Sequence, residues 1–348
     1  MLTSLMKFSC TIALAVLGLH LAANAQSLPK RETPSLPKRE TPTAAAIASK
    51  ADMAAKERTN AWTVGLAGGF VEGAPLRLAA EIARVVNEDG KLRVIPIVTP
   101  ATENVNSLLY LRGVDAAIIN MDVLDEYKAQ VPYIERRLAY VLSLFPSELH
   151  IFVRPEIHSL EDLSGKKVNF NTQGTAAAYS GPLIFSRLGL NVEKMFIPHQ
   201  VALEQMKRGD VSAVVFVTSK PVDAFLKGRW EPGFKFLPVE YDARLEDYYL
   251  PSSLDAADYP NLVPQGERIA TIAVPTVLVA YNWHQQSDRY RRMARLVDYL
   301  FSRLDKLQSP GFDPKWKDVN LRANVPSLER FRPAQEWLDH PRVGTAGP

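Results

Sequence analysis

Four short turns that each stand just before a helical stretch are the residues here best suited to chemistry: 68–75, 101–104, 171–176 and 218–221. The first N–H groups of a helix lack partners inside it and together carry about half a positive charge. Gathered round one cleft, such turns favour a carboxylate or a similar anion. Gly69 and Gly174 allow a backbone to approach a ligand closely, and Thr172, Gln173 and Thr175 add hydrogen-bonding side chains beside Ala176. Asn104 and Thr218 stand at the other two turns. The same residue types also cap helices, so each has a structural reading beside the functional one. Asn120 and Asp122 follow VDAAII, the strand expected at 114–119, where polar side chains at a strand's end point into a cleft. Asp122 there either accepts an ammonium or caps the next helix, and Glu72 beside the first helix likewise favours an amine. Phe70 and Phe216 are candidates for an apolar wall or for core, and Arg154 for a ligand carboxylate or a structural ion pair.

Catalysis finds little support in the same letters. Cys10 is the single cysteine and lies in the apolar N-terminal stretch. With that stretch removed the chain has no thiol, which excludes thiol nucleophiles, thiolate metal sites and disulfides. No His-Glu-x-x-His, phosphate-binding loop or Gly-x-Ser-x-Gly elbow is present. His150, His158, His199, His284 and His340 show no close metal-ligand spacing and are expected to be structural. No catalytic residue, metal or cofactor is therefore expected. The 41 basic and 38 acidic residues leave a net charge of +3, too small to imply nucleic acid.

The elements that must position the turns begin after an export signal. Lys7, the apolar run 12–19 and the small residues Ala23 and Ala25 match a signal peptide cleaved after Ala25 and a periplasmic destination. Even the broader apolar stretch 8–23 falls short of the roughly 20 residues that span a bilayer. SLPKRETP at 27–34 recurs unchanged at 35–42. A stretch so rich in proline and charge buries too little surface to offset its ordering entropy, so 26–59 is expected to be a disordered linker. From Trp62 onward, strands alternate with helices. Strands are expected at 62–67, 92–98 and 114–119, then as two candidates in RLAYVLSL and ELHIFV. The first helix carries Leu76, Ala79, Ala80, Ala83 and Val86 at helical spacing, and the grammar restarts after Arg154. The stretch 240–268 resists assignment. The run 269–282 crosses back, and a last helix opens at Ser287 with Met293, Leu296, Val297, Leu300, Phe301 and Leu304 along one face. This is an α/β chain with mostly parallel sheets and two crossover strands. Lobe I takes 60–153 and 272–348, lobe II takes 154–271, and a ligand belongs between them.

LAGGFVEGAP, TENVNSLLYLRGVDAAIINMD, SLFPSELHIFVRPEIHSLEDLSGKKV, NFNTQGTAAAYSGPLIFSRLGL, VALEQMKRGDVSAVVFVTSKP and AVPTVLVAYN, in that order, resemble the solute receptors of TAXI-type TRAP transporters. The resemblance spans about residues 62–307 and implies the two-lobed type 2 periplasmic binding protein fold. It also implies a monomer that captures a small solute, carboxylate-bearing on the reading of the turns, and delivers it to a TRAP-type membrane permease. A ligand-sensing subunit for a membrane receptor and, on the same fold, an enzyme built from dispersed residues are the alternatives.

Overall fold

A computed structural model describes residues 44–71 and 73–340. The export signal, the repeat and Glu72 lie outside the described residues. The described residues from Lys50 onward form one compact unit. Before it enters the first strand the chain forms helix α1, Ala44–Ala61, where a tether was expected. Alanine-rich composition explains the helix, since alanine is the best helix former. No described helix is long and apolar enough to cross a membrane.

The first lobe is built from β1 (Thr63–Gly69), α2 (Ala74–Val86), β2 (Arg93–Val98), α3 (Asn104–Tyr110), β3 (Ala116–Asn120), α4 (Val123–Gln130) and α5 (Ile134–Arg137). Strand β4 (Leu138–Val153) then leads into the second lobe. That lobe holds β5 (Lys167–Asn169), α6 (Ala176–Arg187), β6 (Glu193–Met195), α7 (His199–Arg208), β7 (Ala213–Thr218), α8 (Asp223–Lys227), β8 (Lys235–Phe236) and β9 (Leu250–Asp255). Strand β10 (Arg268–Tyr281) returns to lobe I, where α9 (Asp288–Ser302), α10 (Leu304–Leu307) and α11 (Arg332–Asp339) finish the chain.

One curled sheet runs in the order β2-β1-β3-β10-β4-β7-β5-β6, with β8 added to β4 and β9 to β10. The parallel pairs lie towards its two ends, β1 with β2 and β3, β5 with β6 and β7. Both crossing strands run antiparallel to every strand they touch. The result is a two-lobed α/β protein whose halves are joined through its two longest strands.

RLAYVLSL and ELHIFV prove to be one strand of 16 residues, not two. Pro146, which lies between the two candidates, sits opposite Pro275 of β10 in register. Proline removes a ladder donor and is tolerated only where no partner waits. Pro146 precedes the stretch of β4 that pairs β7, and Pro275 falls between the β9 and β3 ladders. Both prolines thus mark the line where the lobes meet.

Helix packing follows the apolar spacing except at Leu76 and Ala80 of α2, which are not buried, and at Leu304, which is half-buried in α10 beyond the end of α9. Ser287 caps α9, its Oγ accepting from the Tyr290 N–H at 3.2 Å, and Met293, Leu296, Val297, Leu300 and Phe301 are buried. In α2 the buried face is Leu78, Ala79, Ile82, Ala83 and Val86, whereas Ala80 is exposed. The larger Leu78 and Ile82 bring more apolar area than the alanine, and the helix turns to bury them. A core cluster beneath the crossing strands reaches from Val105 and Leu124 in lobe I to Phe170 and Ile184 in lobe II.

Candidate functional site

The carboxyl ends of β1, β5 and β7 and the starts of α2, α6 and α7 surround a cavity of about 660 Å³. Lobe I supplies Gly69, Phe70, the Gly73 to Pro75 start of α2, and Ala101. Lobe II contributes Thr172, Gly174, Thr175, Ala176, Phe216 and Thr218, together with Asn171, Pro198, His199 and Val222. Of the residues expected from sequence, Gly69, Phe70, Thr172, Gly174, Thr175, Ala176, Phe216 and Thr218 are brought together on this wall.

Local chemistry explains why these turns form. Gly174 takes a positive φ of 85°, a conformation that glycine adopts without strain. Thr175 is the N-cap of α6: its Oγ1 accepts from the Ala178 N–H at 3.3 Å and donates to the Thr172 carbonyl at 2.8 Å. The two lobes meet here directly, the Ala101 N–H donating to the Gly174 carbonyl at 2.9 Å. On α7, the His199 N–H donates to Asn171 Oδ1 at 3.3 Å, and its ring stacks on Phe216 with centroids 3.5 Å apart. His199 Nε2 lies 2.9 Å from the Val215 carbonyl, which only accepts, so that nitrogen carries the proton. Burial pushes the imidazole down to about 4, so it is neutral at pH 7. Among the described wall residues none carries a charge.

Four expected site residues stand elsewhere. Asn104 is fully buried, its Nδ2 donating to the Ile118 carbonyl at 2.7 Å and its Oδ1 accepting from Thr99, so it braces α3 against β3. Asn120 Oδ1 accepts from Thr276 at 3.0 Å, and Thr276 in turn bonds Ser147 at 2.8 Å across the crossing strands. Gln173 is exposed at the turn and is not on the wall. Asp122 stands at the N-cap position of α4 but its side chain makes no cap bond there, and it does not line the cavity. It is fully buried, with Tyr249 Oη donating to its Oδ2 at 3.1 Å, and desolvation raises its carboxyl to about 6. Arg154 pairs with Glu156 at 2.6 Å and donates to the Met206 carbonyl, the structural reading. Ser219 caps nothing, Val222 being the N-cap of α8.

His199 was expected to be structural, yet it lines the cavity. The strand KMFIP followed by a helix starting at His199 repeats the grammar of the other four turns, and that signal was available. His150 keeps its structural role. Its Nδ1 donates to the Glu148 carbonyl at 3.0 Å and its Nε2 accepts from Tyr259 at 2.7 Å, while burial pushes the ring down to about 3.

Residues 72–324 match the NMT1-like family. The chain belongs to that family. Its fold is also similar to solved structures at low identity. One is the P235GK mutant of ArgBP from T. maritima, 16% identical over 76% of this chain and 96% of that one, with a TM-score of 0.40. A second is the periplasmic aliphatic sulphonate binding protein SsuA from Escherichia coli, 14% identical over 80% and 83%, with a TM-score of 0.42. XAC2383 from Xanthomonas citri bound to ATP is 13% identical over 81% and 100%, with a TM-score of 0.47.

Within this NMT1-like chain the Thr175 hydroxyl is accounted for by its cap. Thr175→Ala is expected to cost about 1 kcal/mol of stability, the usual loss for an N-cap. Urea unfolding of the two proteins measures it; an unchanged midpoint would show that the cap contributes nothing.

Proposed function

We propose that this protein is a periplasmic solute-binding protein of the TAXI type, which captures a small carboxylate-bearing solute between its lobes and delivers it to a TRAP-type permease. The observation that carries this reading is the cavity ringed by the starts of α2, α6 and α7, whose described wall residues carry no charge. The first-turn N–H groups left outside the caps and the aligned dipoles stabilise an anion among these described wall residues. Capture, not turnover, suits the wall: the Thr175 hydroxyl is engaged in a cap and the His199 ring N–H is held by Val215. Export with cleavage after Ala25 and action as a monomer belong to the same proposal, and Gly69, Phe70, Thr172, Gly174, Thr175, Ala176, Phe216 and Thr218 are the proposed contacts.

Thermal unfolding of the purified protein with a panel of small carboxylates tests it. A binder present at 100 times its dissociation constant adds about 2.7 kcal/mol of stability. A panel in which no acid raises the melting temperature, or in which a hit is consumed on incubation, defeats the reading.

A further inference from the structure

The aromatic wall says what the anionic group is attached to. Phe70 comes from lobe I and lies over the Gly174 turn of lobe II, where an added Cβ would stand 2.9 Å from its ring. On lobe II the His199 and Phe216 rings form a stack inclined by only 22°. Neither ring of the stack is free to swing: Val215 holds the imidazole, and Phe225 packs edge-on against Phe216 with centroids 5.0 Å apart. Because burial keeps the imidazole neutral, the two rings contribute only uncharged atoms to the cavity wall. An ammonium or a second carboxylate brought here would lose its hydration without meeting an opposite charge among the described wall residues. A planar apolar body loses nothing and gains ring contacts.

We propose that the solute is an aromatic monocarboxylate of the phenylalkanoate class, with its ring against Phe70 and the His199–Phe216 stack. This rests on the reading of the cavity as a solute site. Calorimetric titration with 3-phenylpropanoate, phenylalanine and glutarate tests it. 3-Phenylpropanoate is expected to bind, with phenylalanine and glutarate each weaker by about tenfold or more. Phe70→Leu, with an unchanged melting temperature in the absence of ligand, is expected to weaken 3-phenylpropanoate by about tenfold and glutarate by clearly less. Tighter binding of glutarate or phenylalanine overturns the aromatic assignment while leaving a solute site in place. An equal loss of all acids in Phe70→Leu also overturns it. Binding by none of the three, nor by any acid of the wider panel, removes the solute site itself.

Discussion

Replacing Gly174 with alanine is expected to weaken solute binding by roughly thirtyfold, because about 2 kcal/mol of overpacking falls on the closed cleft. The residue holds a positive φ of 85°, and its carbonyl accepts the Ala101 N–H that ties lobe II to lobe I. An added Cβ would stand 2.9 Å from the Phe70 ring and 3.1 Å from Pro100 Cβ, both parts of lobe I. Two penalties follow, and they act on different states. The left-handed backbone costs alanine about 1 kcal/mol whether the lobes are apart or together, so it lowers stability and leaves affinity alone. On the proposed capture of a solute between the lobes, the overlap with Phe70 and Pro100 falls on the form in which these turns meet, so it subtracts from binding. Titration of the strongest acid in the panel against the wild type and Gly174→Ala separates the two. Adding Phe70→Ala to the Gly174→Ala protein removes the nearest obstruction, and closure should then recover in part, seen as a smaller radius of gyration on ligand addition. Equal affinities in wild type and Gly174→Ala would show that these two turns do not meet when solute is bound.

What was legible in the sequence was whatever is decided locally. The Ser287 cap and the apolar face of α9 depend on spacing along one helix, and both stand where the letters put them. Phe70, Thr175 and Phe216 could be placed near one cavity because a strand end, a turn and a helix start follow one another in the chain. Tertiary choices were less visible. Pro146 reads as a breaker unless the matching gap in the ladders at Pro275 is known, and that gap belongs to the assembled sheet. Asn104 and Asp122 have the residue types of a cleft, yet the packing of α3 and of the 240–249 stretch buries them. That stretch resisted assignment because its tyrosines serve distant partners: Tyr248 reaches Asp125 and Tyr249 reaches Asp122, each more than a hundred residues away.

Asp122→Asn is expected to make the protein more stable by about 3 kcal/mol at neutral pH and to change nothing at about pH 4. The carboxyl is fully buried at the end of β3, and desolvation lifts it from its usual 3.8 to about 6 against the hydroxyls of Ser180 and Tyr249. A group whose folded pKa is raised binds its proton more tightly in the fold. Its contribution is therefore best below the unfolded value, declines as the pH climbs from about 4 to 6, and is flat above. An amide has no proton to lose, and its Oδ1 still accepts from Tyr249, so the variant escapes the neutral-pH penalty. The other displaced groups do not confuse the comparison. Glu148, raised to about 7 by burial, and His150, lowered to about 3, titrate alike in both proteins and cancel in the difference. Urea unfolding across this range supplies the measurement. A gap between the proteins that stays constant with pH would mean that Asp122 is not the group responsible, and a variant less stable at pH 7 would mean that its carboxylate is better solvated than its burial implies. The contact also joins the lobes, since Tyr179 and Ser180 of α6 and Tyr249 enclose a residue of lobe I. A carboxyl that is costly to ionise there favours closure in mild acid, so in the wild type solute affinity should fall as the pH rises through about 6, and in Asp122→Asn it should not.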